Sequence, residues 1–194
     1  MDRAQAHTLE AITASLILVS SLVFALQVTA VTPLTGSTSS QHIENQQAAA
    51  AEGVLAAAAD NGTLERTLLY WNESADNWHD ATADGYVQGP PPTAFGDTLK
   101  RTFLDRGIVF DLTLYYIDGD GDRQRQSIVD LGQPSDHAST ASRIVTLADD
   151  DPLREPDGSP ASATLSNASY LVPDADPDGA LYSVVEVELV VWRM

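Results

Sequence analysis

Residues 108–117 read IVFDLTLYYI and form the clearest β-strand signal in the chain. Apolar and other side chains alternate along this stretch, which is typical of a strand with one buried face. The residues that share the apolar face are Ile108, Phe110, Leu112, Leu114 and Tyr116. The turn sequence DGDG follows at 118–121, and a more polar strand is expected from Arg123 to Leu131. Together they predict a β-hairpin.

Further strands are predicted downstream of the hairpin. Residues 143–147 indicate a short strand, and residues 164–172 indicate an edge strand after an acidic, proline-bearing loop at 149–161. Residues 181–192 form a strong final strand, which needs neighbours and is therefore expected inside the sheet. Helical patterns come first and antiparallel strands come later, so the fold class is α+β, with a small, mainly antiparallel β-sheet.

The segment upstream of the strands favours helices. An alanine-rich helix is expected from about residue 40 to 60, because alanine is the best helix former. Pro and Gly at residues 32–37 predict an interruption before it. A short helix is expected at 63–71 and another at 95–106, with a polar loop at 72–92 between them.

Residues 11–31 form an apolar run of 21 residues without a charge. A helix of that length reaches about 30 Å, which is the thickness of the hydrocarbon layer of a bilayer. Arg3 precedes the run and no Lys or Arg follows until Arg66, so the N-terminus is expected in the cytoplasm. The expected order is a cytoplasmic N-terminus and possible processing region at 1–10, a single transmembrane helix at 11–31, a juxtamembrane linker and Ala-rich helix at 32–62, and an extracellular α+β domain at 63–194.

A cleavable secretory signal is the main alternative to an anchor. Its apolar core is usually shorter, about 7 to 15 residues, and is followed by small residues such as those at 28–30. Glu10 lies at the edge of the apolar run, where a carboxylate is unusual for a signal and costly in lipid unless it is paired.

Arg3, Ala4, Gln5 and Glu10 together resemble the N-terminal segment of archaeal type IV pilin-like proteins. In that family a basic and a small residue precede the cleavage point, and a glutamate then leads into a long apolar helix. The resemblance implies that cleavage makes Gln5 the new N-terminus and that Glu10 pairs with the terminal amine of a neighbouring subunit. Glu10 stands one residue later than the usual pattern, and cleavage after Gln5 would restore the spacing. The expected partners are membrane lipid and other pilin-like subunits, bound through the N-terminal helix.

The composition is strongly acidic. The chain has 28 acidic residues against nine Arg and one Lys, giving a formal net charge of −18. Such a surface is typical of proteins from high-salt environments, where salt screens the repulsion between carboxylates. It argues against nucleic-acid binding, which needs basic surfaces. Cysteine is absent, which excludes disulfides and thiolate metal sites.

Asp118, Asp120 and Asp122 are the candidate metal ligands, because alternating carboxylates with intervening glycines suit Ca²⁺. An EF-hand loop beginning at Asp118 would need a glutamate at its twelfth position, where Val129 stands. A plain hairpin turn is therefore the favoured interpretation, and no cofactor is expected.

Asn61, Asn72 and Asn167 begin glycosylation sequons that would be accessible on an exported chain. Two triplets, WHD at 78–80 and SDH at 135–137, raise the alternative of an extracellular hydrolase, but no nucleophile elbow accompanies them. We therefore expect a non-enzymatic, membrane-anchored, extracellular structural or accessory subunit of a surface assembly. An anchored module that binds a ligand outside the cell is the second hypothesis, and a hydrolase is the third.

Overall fold

A computed structural model describes residues 2–31 and 33–193, and the side chains of residues 10–25 and 41–193 among them. The chain divides into two units, one ending at Ile43 and the other beginning at Glu44. The boundary expected at 62/63 stays a prediction about the extracellular domain, and the observed division places residues 44–60 of the alanine-rich helix in the second unit. We call the unit that begins at Glu44 the head.

The first unit contains helix α1, Asp2–Val31, and the beginning of helix α2, Pro33–Asp60. Among the residues that the structure describes, no helix is long and apolar enough to cross a membrane. The last six residues of the expected span, 26–31, lie outside the described side chains. Large apolar side chains of α1 between residues 12 and 24 are 48% to 70% exposed.

The expected interruption at 32–37 is wrong over residues 33–37, because α2 already begins at Pro33. Proline is well tolerated at the first helical position, where the missing N–H would have no partner in any case. Gly36 inside the helix costs only about 1 kcal/mol relative to alanine. The end of α2 agrees with expectation: Asp60 is its last residue, and Gly62 follows in the left-handed conformation with φ 71°.

The last turns of α2 pack into the head. Gln47, Ala51, Leu55 and Ala58 recur every three or four residues, lie on one face of the helix and are all buried. Ala51 and Ala58 are small enough to let the helix approach its neighbours closely, while Leu55 fills the space between them. This stretch of α2 is therefore a core element of the head.

Two short helices and a hairpin follow α2. Helix α3, Thr63–Leu68, is shorter than expected, because strand β1, Trp71–Asn72, pairs with β2, Asn77–Trp78, in a hairpin that the sequence did not indicate. Helix α4, Ala94–Thr102, is followed by a 3₁₀ turn at Leu104–Arg106. The aromatic rings of Trp71 and Trp78 meet edge to face, with centroids 5.3 Å apart, and close the hairpin against the core.

The main sheet has four antiparallel strands in the order β4-β3-β8-β5. These strands are β3, Ile108–Ile117; β4, Arg123–Val129; β5, Ser139–Ala148; and β8, Leu181–Arg193. The hairpin of β3 with β4 and the interior position of β8 confirm both expectations. The α+β class is confirmed, since α2, α3 and α4 share one buried cluster with this sheet.

The expected edge strand at 164–172 is wrong. Strand β6, Pro152–Arg154, pairs with β7, Pro160–Thr164, and a 3₁₀ turn, Leu165–Asn167, then begins. The reason is a capping box: the Thr164 N–H donates to the Asn167 side chain at 3.0 Å, and this exchange ends the strand. Strand β6 and the start of β7 lie inside the segment, 149–161, that was expected to be a loop.

Candidate functional site

A cleft of about 280 Å³ opens between α3, the start of α4 and the β6–β7 hairpin, all within the head. We call it the arginine cleft. The side chains that matter for its chemistry are Thr63, Arg66, Thr67, Thr93, Arg154 and Asp157. Its walls come from three parts of the chain that are distant in sequence, so it depends on the complete fold of the head.

Helix periodicity and two long-range hydrogen bonds build the cleft. Thr63, Arg66 and Thr67 lie three and four residues apart on α3 and therefore share one face of that helix. The Arg154 main-chain N–H donates to the Leu69 carbonyl at 2.8 Å. The Tyr70 hydroxyl donates to the Pro156 carbonyl at 2.9 Å. These bonds hold the β6–β7 hairpin beside α3, so that Arg154 and Arg66 line the same cleft.

The threonine hydroxyls of the cleft donate their hydrogen bonds to other groups of the protein. Thr63 donates to the Asn61 side chain at 2.6 Å, and Thr67 donates to the Thr63 carbonyl at 3.0 Å. The 2.8 Å bond between the Thr67 and Thr93 hydroxyls must then use the proton of Thr93, because each hydroxyl carries only one. The hydroxyls thus stiffen the wall and offer no spare donor to a ligand.

The guanidinium groups are the donors that remain. Arg66 uses Nη2 to bind the Asn61 carbonyl at 3.0 Å, which leaves most of its N–H groups available. Arg154 Nε is buried without a hydrogen-bond partner. In the described part of the chain, neither guanidinium forms an ion pair with a carboxylate. Two unpaired arginines facing one cleft stand out in a chain with 28 acidic residues.

Two carboxyl groups moderate the positive charge of the cleft. Hydrogen bonds from the side chain and the N–H of Ser159 hold the pKa of Asp157 below its ordinary value, so this rim residue stays ionised. Burial raises the pKa of Glu65, and Asp151 raises it further, while Arg154 and Arg66 act in the opposite direction. Among the charged side chains that line the cleft, two positive charges face one negative charge.

The structure pairs the histidine of each triplet with a residue from another segment of the head. His79 Nε2 lies 2.9 Å from the Arg154 carbonyl oxygen, and its ring packs on Tyr70 with centroids 4.8 Å apart. His137 Nδ1 lies 2.8 Å from Glu44 Oε1. Glu44 is 93 positions from His137 in the sequence, whereas Ser135 and Asp136 directly precede His137. Both histidines therefore join separate segments of the head.

Asp118 is fully engaged in the β3–β4 turn. Its Oδ1 accepts the N–H groups of Asp120 and Asp122, at 3.0 and 2.9 Å, and its Oδ2 accepts from the Gln124 amide at 2.6 Å. These bonds, led by that of Gln124, lower the pKa of Asp118. Across the described residues, no group of three or more histidine or acidic side chains could hold a metal ion. The geometry is that of the favoured hairpin turn.

The N-terminal residues of interest are only partly described. The side chains of Arg3, Ala4 and Gln5 lie outside the described residues, although their backbone is helical in α1. Glu10 is exposed on the same helix. The structure thus places the proposed processing point within α1 and leaves the pairing of Glu10 as a prediction.

The three sequon asparagines lie on the head surface to different degrees. Asn61 and Asn167 are exposed, and Asn72 is half-buried. Each uses its side-chain oxygen to accept main-chain N–H groups: Asn61 from Thr63, Asn72 from Ser74 and Ala75, and Asn167 from Thr164. Glycosylation at any of them remains a prediction.

Sequence reasoning missed the arginine cleft. Arg66 and Arg154 are 88 positions apart, belong to no motif and meet only because the β6–β7 hairpin packs on α3. The one usable signal was the scarcity of basic residues in so acidic a chain.

Comparison with known proteins assigns a family without assigning an activity. The model of a family of unknown function, DUF7288, matches residues 3–191. No curated protein and no solved structure matches the chain.

Proposed function

The chain belongs to this family of unknown function, and from that premise we propose that it is a non-enzymatic, pilin-like subunit of an extracellular assembly. In this proposal the apolar run of residues 11–31, whose last six side chains lie outside the described residues, anchors the protein in the cell membrane as a single-pass helix. The N-terminus is cytoplasmic, and the head is the extracellular part of a structural or accessory subunit.

The observation that carries the proposal is the exposed apolar surface of α1. Ile17, Leu18 and Phe24 are 69% to 70% exposed, and the uncharged run of which they are part extends from residue 11 to 31. Contiguous exposed apolar surface of this kind marks a membrane or protein interaction site. Lipid and neighbouring copies of the same helix would both cover it.

The construction of the head also supports the proposal. A long N-terminal helix followed by a β-rich head is the general plan that the pilin-like resemblance implies. Helices α1 and α2 come first in this chain, and the strands of the main sheet follow. The last turns of α2, with Ala51 and Leu55, share one core with that sheet.

The acidity of the chain agrees with exposure to a salt-rich exterior. The net charge of −18 would destabilise the head through self-repulsion at low ionic strength. At about 1 M salt the Debye length falls to about 3 Å, and that repulsion is largely screened. We propose that the protein belongs to a halophile and functions outside its cells.

N-terminal mass spectrometry of the mature protein from membranes tests the processing. A start at Gln5 or Ala6 would support pilin-type cleavage. A start at Val31 would indicate a conventional secretory signal, and an intact N-terminus would indicate a plain anchor; either would contradict pilin-type processing.

Disulfide cross-linking tests the assembly. Because the chain has no cysteine, Leu16→Cys on the exposed face of α1 introduces a single reactive thiol. Mild oxidation of native membranes should yield cross-linked dimers. Adding Glu10→Ala should lower their yield, whereas Glu52→Ala, an exposed glutamate on α2, should not. Equal yields with and without Glu10 would remove the reason for assigning this residue a pairing role.

A further inference from the structure

We infer that the arginine cleft binds a small sugar acid through its carboxylate. This inference concerns the head alone and does not depend on the assembly role proposed above. It rests on the arginine N–H groups of the cleft that have no partner, on the environment of the Arg154 guanidinium, and on the volume of the cleft.

The hydrogen-bond donors that remain free in the cleft favour a ligand that accepts hydrogen bonds. The protons of Thr63, Thr67 and Thr93 are committed within the protein, as shown above. What remains are N–H groups of Arg66 and Arg154, which can donate but cannot accept. A ligand group that presents only acceptor oxygens, such as the carboxylate of a sugar acid, binds these N–H groups without leaving an unpaired donor.

The position of Arg154 strengthens its attraction for an anion. One edge of its guanidinium is withdrawn from water, since Nε is buried and unpaired. No carboxylate of the described part of the chain pairs with this group. A charge in such a half-buried position is screened less by salt than an exposed one. It can therefore retain affinity for an anion even in a concentrated salt solution.

The geometry of guanidinium groups favours a carboxylate. Arginine presents its N–H groups in a planar fork that matches two carboxylate oxygens, whereas a spherical anion such as chloride meets only one or two of them. Among the charged side chains of the lining, Arg66 and Arg154 are positive and Asp157 is negative, and Glu65 next to the cleft interacts with both arginines.

The size of the cleft sets the size of the ligand. Its 280 Å³ exceed what a lone carboxylate would occupy and lie just below the usual range for small-molecule sites, about 300–1,000 Å³. The remaining lining combines polar threonine side chains with the ring of Tyr70 and with small or apolar residues, namely Pro92, Ala94, Pro156 and Gly158. Mixed polar and apolar walls of this extent fit one pyranose ring, so we assign the cleft to a uronic acid of monosaccharide size.

Ligand-dependent thermal unfolding of the full-length protein in detergent tests the inference. Unfolding is followed by tryptophan fluorescence at a fixed, molar concentration of NaCl. Sodium glucuronate should raise Tm in a saturable way, because a ligand that binds only the folded state stabilises it. Glucose at the same concentrations should leave Tm unchanged. Equal shifts with both sugars, or no shift with glucuronate, would overturn the inference.

Variants locate the binding. Arg154→Gln and Arg66→Gln should each weaken glucuronate binding at least fivefold, while Arg101→Gln, an exposed arginine on α4 outside the cleft, should bind like the wild type. Arg66 is exposed, so Arg66→Gln remains informative even if Arg154→Gln impairs folding. Unchanged affinity in Arg66→Gln would contradict the site.

Inorganic sulfate tests whether the cleft binds an inorganic anion instead of a sugar acid. At matched ionic strength, a saturable Tm shift with sulfate that disappears in Arg66→Gln, together with no response to glucuronate, would overturn the sugar-acid assignment in favour of an inorganic anion. A weaker sulfate response beside a strong glucuronate response would support the assignment, because the ring then contributes to binding.

Discussion

The Ser139 hydroxyl donates a 2.9 Å hydrogen bond to the main-chain carbonyl of Glu44. This bond joins the first residue of β5 to the first residue of the head, 95 positions earlier in the chain. The neighbouring His137 ring binds the carboxylate of the same Glu44, at 2.8 Å. Two contacts of different burial thus hold α2 against the edge strand, and their contributions can be separated.

We predict that Ser139→Ala destabilises the head more than His137→Ala does. Ser139 is buried, so its hydrogen bond should contribute about 1 kcal/mol to the free energy of unfolding. The His137 side chain is 72% exposed, and pairs at the surface contribute about 0–1 kcal/mol, less in salt. Urea unfolding measures both, with Ser142→Ala on the exposed side of β5 as control. A larger effect of His137→Ala would contradict this ranking.

Leu55→Ala should cost about 2–5 kcal/mol of unfolding free energy, because this α2 side chain is 1% exposed and its removal leaves a cavity. Leu181→Ala makes the same chemical change at a site that is 37% exposed and should cost less than about 1 kcal/mol. If the two variants were equally mild in chemical denaturation, the second half of α2 would be a stalk outside the core.

Two glycine-to-alanine changes should have opposite signs. A Cβ at Gly96 in α4 would lie 1.9 Å from the Pro91 carbonyl oxygen, so Gly96→Ala must displace backbone and should cost about 1–3 kcal/mol. A Cβ at Gly53 in α2 would meet nothing within 4 Å, and Gly53→Ala should stabilise by about 0.5–1 kcal/mol. Thermal unfolding of both variants provides the test, and a stabilising Gly96→Ala would show that Pro91 does not lie against α4.

Asp118 should make stability depend on pH in the acid range. Its pKa is lowered in the folded state, first by the Gln124 hydrogen bond, so its stabilising contribution is present above the ordinary value of 3.8 and is lost as pH falls through the folded value. Asp118→Asn keeps an oxygen acceptor for the turn but removes this titration. Tm should therefore fall less steeply below about pH 4 in Asp118→Asn than in the wild type.

Asp120→Asn is the matched control for that titration. It changes the same residue type two positions away, and the Asp120 carboxylate accepts no hydrogen bond in the described part of the structure. Parallel Tm–pH curves for the wild type and Asp118→Asn would show that the turn does not use the ionised form of Asp118.

The predictable parts of the fold are those with a strong local period. β3 and β8 follow from alternation along 10 and 13 residues, β4 follows from the turn sequence that precedes it, and the end of α2 follows from Gly62. The β1 and β6 strands are two and three residues long, too short to show a period, and owe their pairing to the core that surrounds them. The interruption predicted at residues 33–37 was wrong because Pro33 begins helix α2 instead of breaking a helix.

The arginine cleft lay beyond sequence reasoning for a different reason. The property that defines it is a missing partner: Arg154 has a buried Nε with no acceptor, although Asp151 and Glu155 are close in sequence. Whether a nearby carboxylate reaches the Arg154 guanidinium depends on the directions of the side chains, and these directions are set only in the folded head. The turn at Asp118 was predictable because its partners all lie within six residues.

The interior position of β8 has a consequence for the cooperativity of the main sheet. β3 and β5 are not hydrogen-bonded to each other and belong to one sheet only because both pair with β8, residues 181–193. Without β8 the main sheet would be reduced to the β3–β4 hairpin, and β5 would have no strand beside it in that sheet. The two sides of the main sheet therefore form one cooperative unit only when β8 is in place.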